Sequence, residues 1–254
     1  MKNNRLKQNW NDGKAAYGMW CSLGSPAIAE MAAQMDLDWI LLDGEHGVGS
    51  YEDCFALLQA TSTSPAASIV RVPANDYVPI KRVLDMGAEG IIVPMVNTAE
   101  EAKSVAEMCS YPPSGTRGMG PHRAARYSFD FPDYFARAND QIAVVVQIET
   151  PEAVDNAEAI ANVQGVDCIF IGPTDLCLTM GLFPNLRHPD FEAAIAKVLA
   201  AGRAANKAVG IYCMNAEEAR ARTEQGFQMV NIANDMTLMS GAMRSALETA
   251  RDTS

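Results

Sequence analysis

Residues 142–176 read IAVVVQIETPEAVDNAEAIANVQGVDCIFIGPTDL. Two short apolar runs, IAVVVQIE at 142–149 and DCIFIG at 167–172, enclose a stretch, 150–163, whose apolar residues recur at helical spacing. Runs this short and this rich in Val and Ile suit strands buried on both faces. A helix between two of them makes the βαβ unit of a parallel sheet. The polar residues of the unit, Gln147, Glu149 and Asp175, gather where the runs end.

The same pattern continues outward in both directions. AYGMWCSL (16–23), DWILLD (38–43), ASIVRV (67–72), GIIVPM (90–95), AVGIYC (208–213) and MVNIA (229–233) bring the predicted strands to eight. Helical spacing lies between them at 25–35, 79–88, 98–109, 190–205 and 216–226, and several of these stretches end in glycine, as in MGAEG and EQGFQ. Eight strands alternating with helices in 254 residues predict one domain, 1–254, folded as a closed (β/α)8 TIM barrel. An open doubly wound sheet is the alternative, but SLGSPA after the first strand lacks the spacing of a dinucleotide loop. Segment 110–141, rich in Pro, Gly and Arg, is too long for a neutral connector and is expected to be a functional loop or a subunit contact.

Composition narrows the function. A net charge of −11 disfavours binding to nucleic acid, which requires clustered cations. The six cysteines form no C-x-x-C pair, which excludes a zinc ribbon or a redox motif and fits free thiols in a reducing compartment. The polar start, MKNNRLKQNWNDGK, has no apolar core of a secretory leader, and no run is long enough to cross a bilayer. The expectation is a cytoplasmic protein with no membrane partner.

In a barrel of this kind the active site lies at the C-terminal ends of the strands. Asp43, Glu45 and His46 end the second predicted strand, Arg71 the third, Gln147 and Glu149 the fifth, while Pro173 and Asp175 follow the sixth and Asn231 and Asn234 lie on or just after the eighth. Glu149 and Asp175 on adjacent strands are a pair for a hard divalent cation; equally, they are N-terminal charges of the helices that follow. Arg71 needs an anion, either a ligand or an ion pair with Asp85 or Asp43. His46 reads as a catalyst or as a satisfied turn histidine, and Glu45 as facing solvent or a barrel neighbour.

DWILLDGEHG, RVPANDYVPIKRVLDMGAEGIIVPMVNTAEEA, YPPSGTRGMG, VVVQIETPEAVDN, GVDCIFIGPTDLCLTMG and RHPDFEAAI together resemble the metal-dependent class II pyruvate aldolases, which cleave 4-hydroxy-2-oxoheptanedioate and 2-dehydro-3-deoxyglucarate. The resemblance implies a barrel of the phosphoenolpyruvate/pyruvate type, a homo-hexamer with the last helix exchanged between subunits, and Mg2+, Mn2+ or Co2+ with no organic cofactor. It implies metal ligands Glu149 and Asp175, catalytic His46 held by Asp85, an enolate-binding Arg71, and Asp43 beside a water on the cation. Gln147, Pro173 and Thr174 are implied at the substrate, with Trp20 and Tyr212 walling the aldehyde. Arg123, from a 117–127 segment shorter than the usual form, is expected at the acceptor end of its own or a neighbouring subunit. Tyr212 and Cys213 stand where members often have smaller residues.

The implied activity is reversible cleavage of 4-hydroxy-2-oxo acids to pyruvate, or a related 2-oxo acid, and an aldehyde through a cation-stabilised enolate. No lysine lies at a predicted strand end to form a Schiff base. The alternatives are a 2-oxo acid decarboxylase, an acyl-CoA lyase on the same frame, and a barrel without catalysis.

Overall fold

The computed structural model describes residues 1–252. Its eight strands, β1 Ala16–Cys21, β2 Trp39–Asp43, β3 Ala67–Arg71, β4 Gly90–Val93, β5 Ala143–Ile148, β6 Cys168–Ile171, β7 Ala208–Ile211 and β8 Met229–Asn234, pair in parallel in chain order and close β8 onto β1. The barrel expectation holds, and each strand lies within a predicted run or overlaps it to within a residue. Around it are α1 Arg5–Asn11, α2 Pro26–Ala33, α3 Tyr51–Ala60, α4 Tyr77–Asp85, α5 Ala99–Cys109, α6 Phe131–Gln141, α7 Pro151–Asp155, α8 Ala157–Ala161, α9 Pro173–Thr179, α10 Pro189–Ala204, α11 Ala216–Gln225 and α12 Asp235–Arg251.

Three elements depart from expectation. The 110–141 segment is irregular only in its first part; from Phe131 it is α6, which carries Pro132 in its first turn and buries Tyr134 and Ala138. The 150–163 helix breaks at Asn156 into two short helices. Helix α1 comes from the polar N-terminal segment, whose periodicity is weak because Leu6 is its one buried residue.

That single leucine matters to the barrel. Along each strand alternate residues point inward, and Trp39 and Leu41, Ala67 and Ile69, Ala143 and Val145, Cys168 and Phe170 fill the interior together with Leu6, which enters from below. The indole of Trp39 fits because its neighbour on β1 is Gly18, where a Cβ would lie 2.0 Å from the ring. Asn4 fixes α1 in place: its amide donates to the carbonyls of Glu89 (2.7 Å) and Gln141 (2.8 Å), and its oxygen caps Leu6 N. The lower mouth is therefore closed.

Candidate active site

The inward rhythm that fills the barrel also builds the site. Two residues beyond Leu41 comes Asp43, beyond Ile69 Arg71, beyond Val145 Gln147, beyond Phe170 Gly172, beyond Gly210 Tyr212 and beyond Gly18 Trp20. These positions, with His46, Pro173, Thr174 and Asp175, line a cavity of about 410 Å3 at the C-terminal mouth. The register places Asp43 directly opposite Arg71.

Arg71 is buried and held on three sides. Its Nε and Nη2 donate to the two oxygens of Asp43 at 2.9 and 2.6 Å, its Nη1 lies 2.8 Å from Glu45 Oε2, and its plane rests 4.9 Å from the Trp20 ring centre. Burial alone would push the Asp43 carboxyl up, but the hydrogen bonds and charge of Arg71 and the Trp20 N–H hold it below the usual range. Glu45, half-buried with less compensation, is raised. Of the two readings of Glu45, the barrel neighbour is the one observed.

Glu149 is 2% exposed and lies directly behind Gln147. It does not act as a helix charge, because Thr150 caps α7. Its Oε1 accepts from Met95 N at 2.7 Å and its Oε2 from Gln147 Nε2 at 2.5 Å. Met95 reaches it from a left-handed conformation, φ 55°, that a non-glycine residue adopts only against steric resistance. Burial, with the nearby charges of Glu45 and Asp175, pushes the Glu149 carboxyl up to about 7 against the pull of the Met95 N–H and Arg71. A Cβ at Gly172 would lie 2.5 Å from Glu149 Oε2 and 2.6 Å from Gln147 Nε2, so glycine keeps this corner open.

These observations fit a hard divalent cation. Asp43, Glu45 and Glu149 face the single Arg71, Asp175 lines the same cavity near enough to help raise Glu149, and the buried Gln147 Oε1 has no partner. Among the described residues no group of three or more His, Cys, Asp or Glu side chains is arranged to hold a metal. Glu149 and Asp175 would supply two oxygen donors to such a cation.

His46 stands at the rim, its side chain 67% exposed and its Nε2 3.9 Å from Glu45 Oε1. Trp20 and Tyr212 meet edge to face, 5.2 Å between centres, and form one wall. Two expected members are elsewhere in the subunit. Asp85 ends α4, and because a barrel helix runs back toward the N-terminal ends of the strands, it lies far from His46; it pairs with Arg117 at 2.9 Å. Arg123 is held at that same lower end, donating to the carbonyls of Met86 and Leu58 at 2.5 and 3.0 Å. Neither lines the cavity. The residues that sequence reasoning missed are Ser22, Leu23, Val48 and Met214, on loops beyond strand ends, and Met236 in the first turn of α12, where alternation no longer applies. Asn234 was noticed at the end of β8 without a role.

Comparison with known proteins gives a consistent picture. The family described as HpcH/HpaI aldolase/citrate lyase matches residues 16–242. The chain is 41% identical over 241 residues to a 4-hydroxy-2-oxo-heptane-1,7-dioate aldolase of Shigella flexneri, covering 94% of this chain and 90% of that one. A crystal structure of an HpcH/HpaI aldolase/citrate lyase family protein from Burkholderia cenocepacia superposes with a TM-score of 0.92 at 38% identity, covering 98% of this chain and 100% of the other. An HpcH/HpaI aldolase from Desulfitobacterium hafniense gives a TM-score of 0.92 at 27% identity, with 98% and 97% covered.

Proposed function

We infer that this chain, which belongs to the HpcH/HpaI aldolase/citrate lyase family, is an aldolase that reversibly cleaves 4-hydroxy-2-oxo acids to pyruvate, or a related 2-oxo acid, and an aldehyde. The observation that carries this reading is the excess of carboxylates over cations at the upper mouth, where Asp43, Glu45 and the buried Glu149 face the single Arg71 and Asp175 lines the same cavity. Glu149 and Asp175 would hold a divalent cation, Mg2+, Mn2+ or Co2+, which supplies Lewis-acid charge for the 2-oxo acid.

The chain's own residues do the rest. Arg71, fixed by Asp43 and Glu45, presents positive charge to the oxygen that becomes the enolate. Gln147 has a second N–H to orient the substrate carboxylate, and Pro173 and Thr174 border the same side. His46 takes the proton of the 4-hydroxyl at Nε2 as the C3–C4 bond breaks; the electron pair passes to the enolate, the aldehyde departs, and His46 returns the proton to C3. Trp20 and Tyr212 exclude water from the aldehyde side. Asp43 keeps Arg71 in its rotamer, a positioning role.

The assembly is a homo-hexamer in this reading. Helix α12 buries only Asp235 and exposes Met236, Leu238, Met239, Met243 and Leu247, while Met31 and Met35 on or just past α2 are exposed too; exchange of α12 between subunits would cover these apolar surfaces. No helix among the described residues is long and apolar enough to cross a membrane, and a cytoplasmic location is part of the proposal.

The test is pyruvate release from a panel of 4-hydroxy-2-oxo acids before and after chelation. Activity should vanish with the cation and return with Mg2+, Mn2+ or Co2+. Full turnover in stripped protein would remove the divalent mechanism, and no pyruvate from any member of the panel would remove the aldolase assignment.

A further inference from the structure

The half of the cavity opposite Glu149 and Gln147 has its own chemistry. Asn234 caps α12: its Oδ1 accepts from Met236 N at 2.9 Å, which fixes the orientation of the amide and turns Nδ2 toward Ser22 Oγ, 3.2 Å away. Ser22 Oγ, used as an acceptor by Asn234, retains its proton to donate. The protein acceptor in reach, Asp43 Oδ2, is 3.5 Å away, at the edge of hydrogen-bonding range. The position of Ser22 is itself set from behind, where Asp235 accepts from Ser22 N at 2.9 Å and Leu23 N at 3.0 Å. Beside them stands the Tyr212 phenol, its ring locked edge-on against Trp20. The Ser22 and Tyr212 hydroxyls are thus two neutral donors held on one wall by Asn234, whose amide also bonds the Tyr212 phenol, with Leu23, Val48, Met214 and Met236 supplying apolar surface around them.

Charge decides which ligand such a wall suits. Arg71 is the one Lys or Arg lining this cavity among the described residues, and it already faces Asp43 and Glu45. Arg123, the other candidate cation, is turned to carbonyls at the lower end of the barrel. A second carboxylate on the substrate would meet Asp43 in this half of the cavity, with no cation there beyond the already paired Arg71. A hydroxyl group accepts from the donors at no such cost.

We propose that Tyr212, Ser22 and Asn234 form a specificity wall that selects an uncharged aldehyde carrying a hydroxyl group over both an acid semialdehyde and a plain alkyl aldehyde. The inference rests on the aldolase reading and names the class of its acceptor. Polar groups left unpaired in a closed pocket reject a substrate lacking the matching oxygen, which is how a wall of this kind discriminates.

The experiment runs the reaction in the synthetic direction on the full chain with Mg2+, pyruvate and one of three aldehydes: glycolaldehyde, propanal of equal heavy-atom count, or succinic semialdehyde. In the wild type kcat/KM for glycolaldehyde should exceed that for each of the others by about 10-fold, one well-made hydrogen bond. Tyr212→Phe and Ser22→Ala should each lower the glycolaldehyde to propanal ratio by roughly 3- to 10-fold. A wild-type ratio near one, a ratio unchanged in both variants, or a preference for succinic semialdehyde overturns the proposal while leaving the aldolase standing. Failure to condense pyruvate with any of the three overturns the aldolase reading itself.

Discussion

The two mouths of the barrel hold similar numbers of acidic side chains and treat them in opposite ways. Below, Asp38, Glu89 and Asp167 stand beside strand starts, and each meets one cation and one backbone N–H. Asp38 takes Arg5 Nε and Tyr17 N, both at 2.8 Å; Glu89 takes Lys2 Nζ at 3.0 Å and Ser68 N at 2.9 Å; Asp167 takes Lys7 Nζ and Val144 N, both at 2.9 Å. Above, Asp43, Glu45 and Glu149 share Arg71, and Asp175 stands close to Glu45 and Glu149 with no cation of its own in the cavity. The lower set is a closed account of charge that fixes α1; the upper set is left in deficit, and a deficit is what binds a cation and a substrate.

If the upper mouth is where chemistry occurs, its largest single-residue effect should come from His46. Replacing it with Ala should lower kcat by roughly 10²–10⁴-fold while the affinity for Mn2+, followed by titration, stays the same. Loss of Mn2+ binding with undiminished turnover per bound ion would make His46 a ligand and redraw the site.

A smaller effect should appear in stability. Folded Glu149 titrates at about 7 against an ordinary 4.5, so folding favours its acid form. That contribution is fully present below about pH 4.5 and is lost as the pH rises through about 7. In cation-free protein it should lower the unfolding free energy by up to about 3 kcal/mol across that range. Glu149→Gln should reduce the slope in urea titrations without abolishing it, because Glu89, also raised by burial, still contributes. An equal slope in the variant would mean that the upper deficit is not stored in Glu149.

The smallest effect belongs below. Lys7→Met breaks a partly exposed pair and should cost about 1 kcal/mol or less by the same titration, with kcat unchanged. A large fall in kcat would erase the division between the two mouths.

The comparison also explains what could be read from the sequence. The strands were legible because both their faces are apolar, and most of the upper site was legible because it continues the same two-residue rhythm: Leu41 to Asp43, Ile69 to Arg71, Val145 to Gln147. Legibility ends where that rhythm does. Ser22 and Met214 sit on loops, and Met236 in the first turn of α12, where no alternation applies. Asp85 and Arg123 carry the right chemistry, but α4 takes one to the lower end and backbone carbonyls hold the other there. Helix α1 was missed because its main anchors are side-chain bonds to distant backbone, such as Asn4 to Glu89 and Gln141, which local periodicity does not record.

The leucine that enters the barrel from below has one last consequence. With Leu6 and α1 sealing that end, the cavity is a blind alley, Gln147 and Glu149 at its floor and the half-exposed Met214 and Met236 at its entrance. Traffic through one door is ordered by depth. In the proposed reaction the fragment anchored at the floor would leave only after the one nearer the entrance, the aldehyde first and the 2-oxo acid last. In the reverse direction the 2-oxo acid would have to be seated before an aldehyde could join the queue.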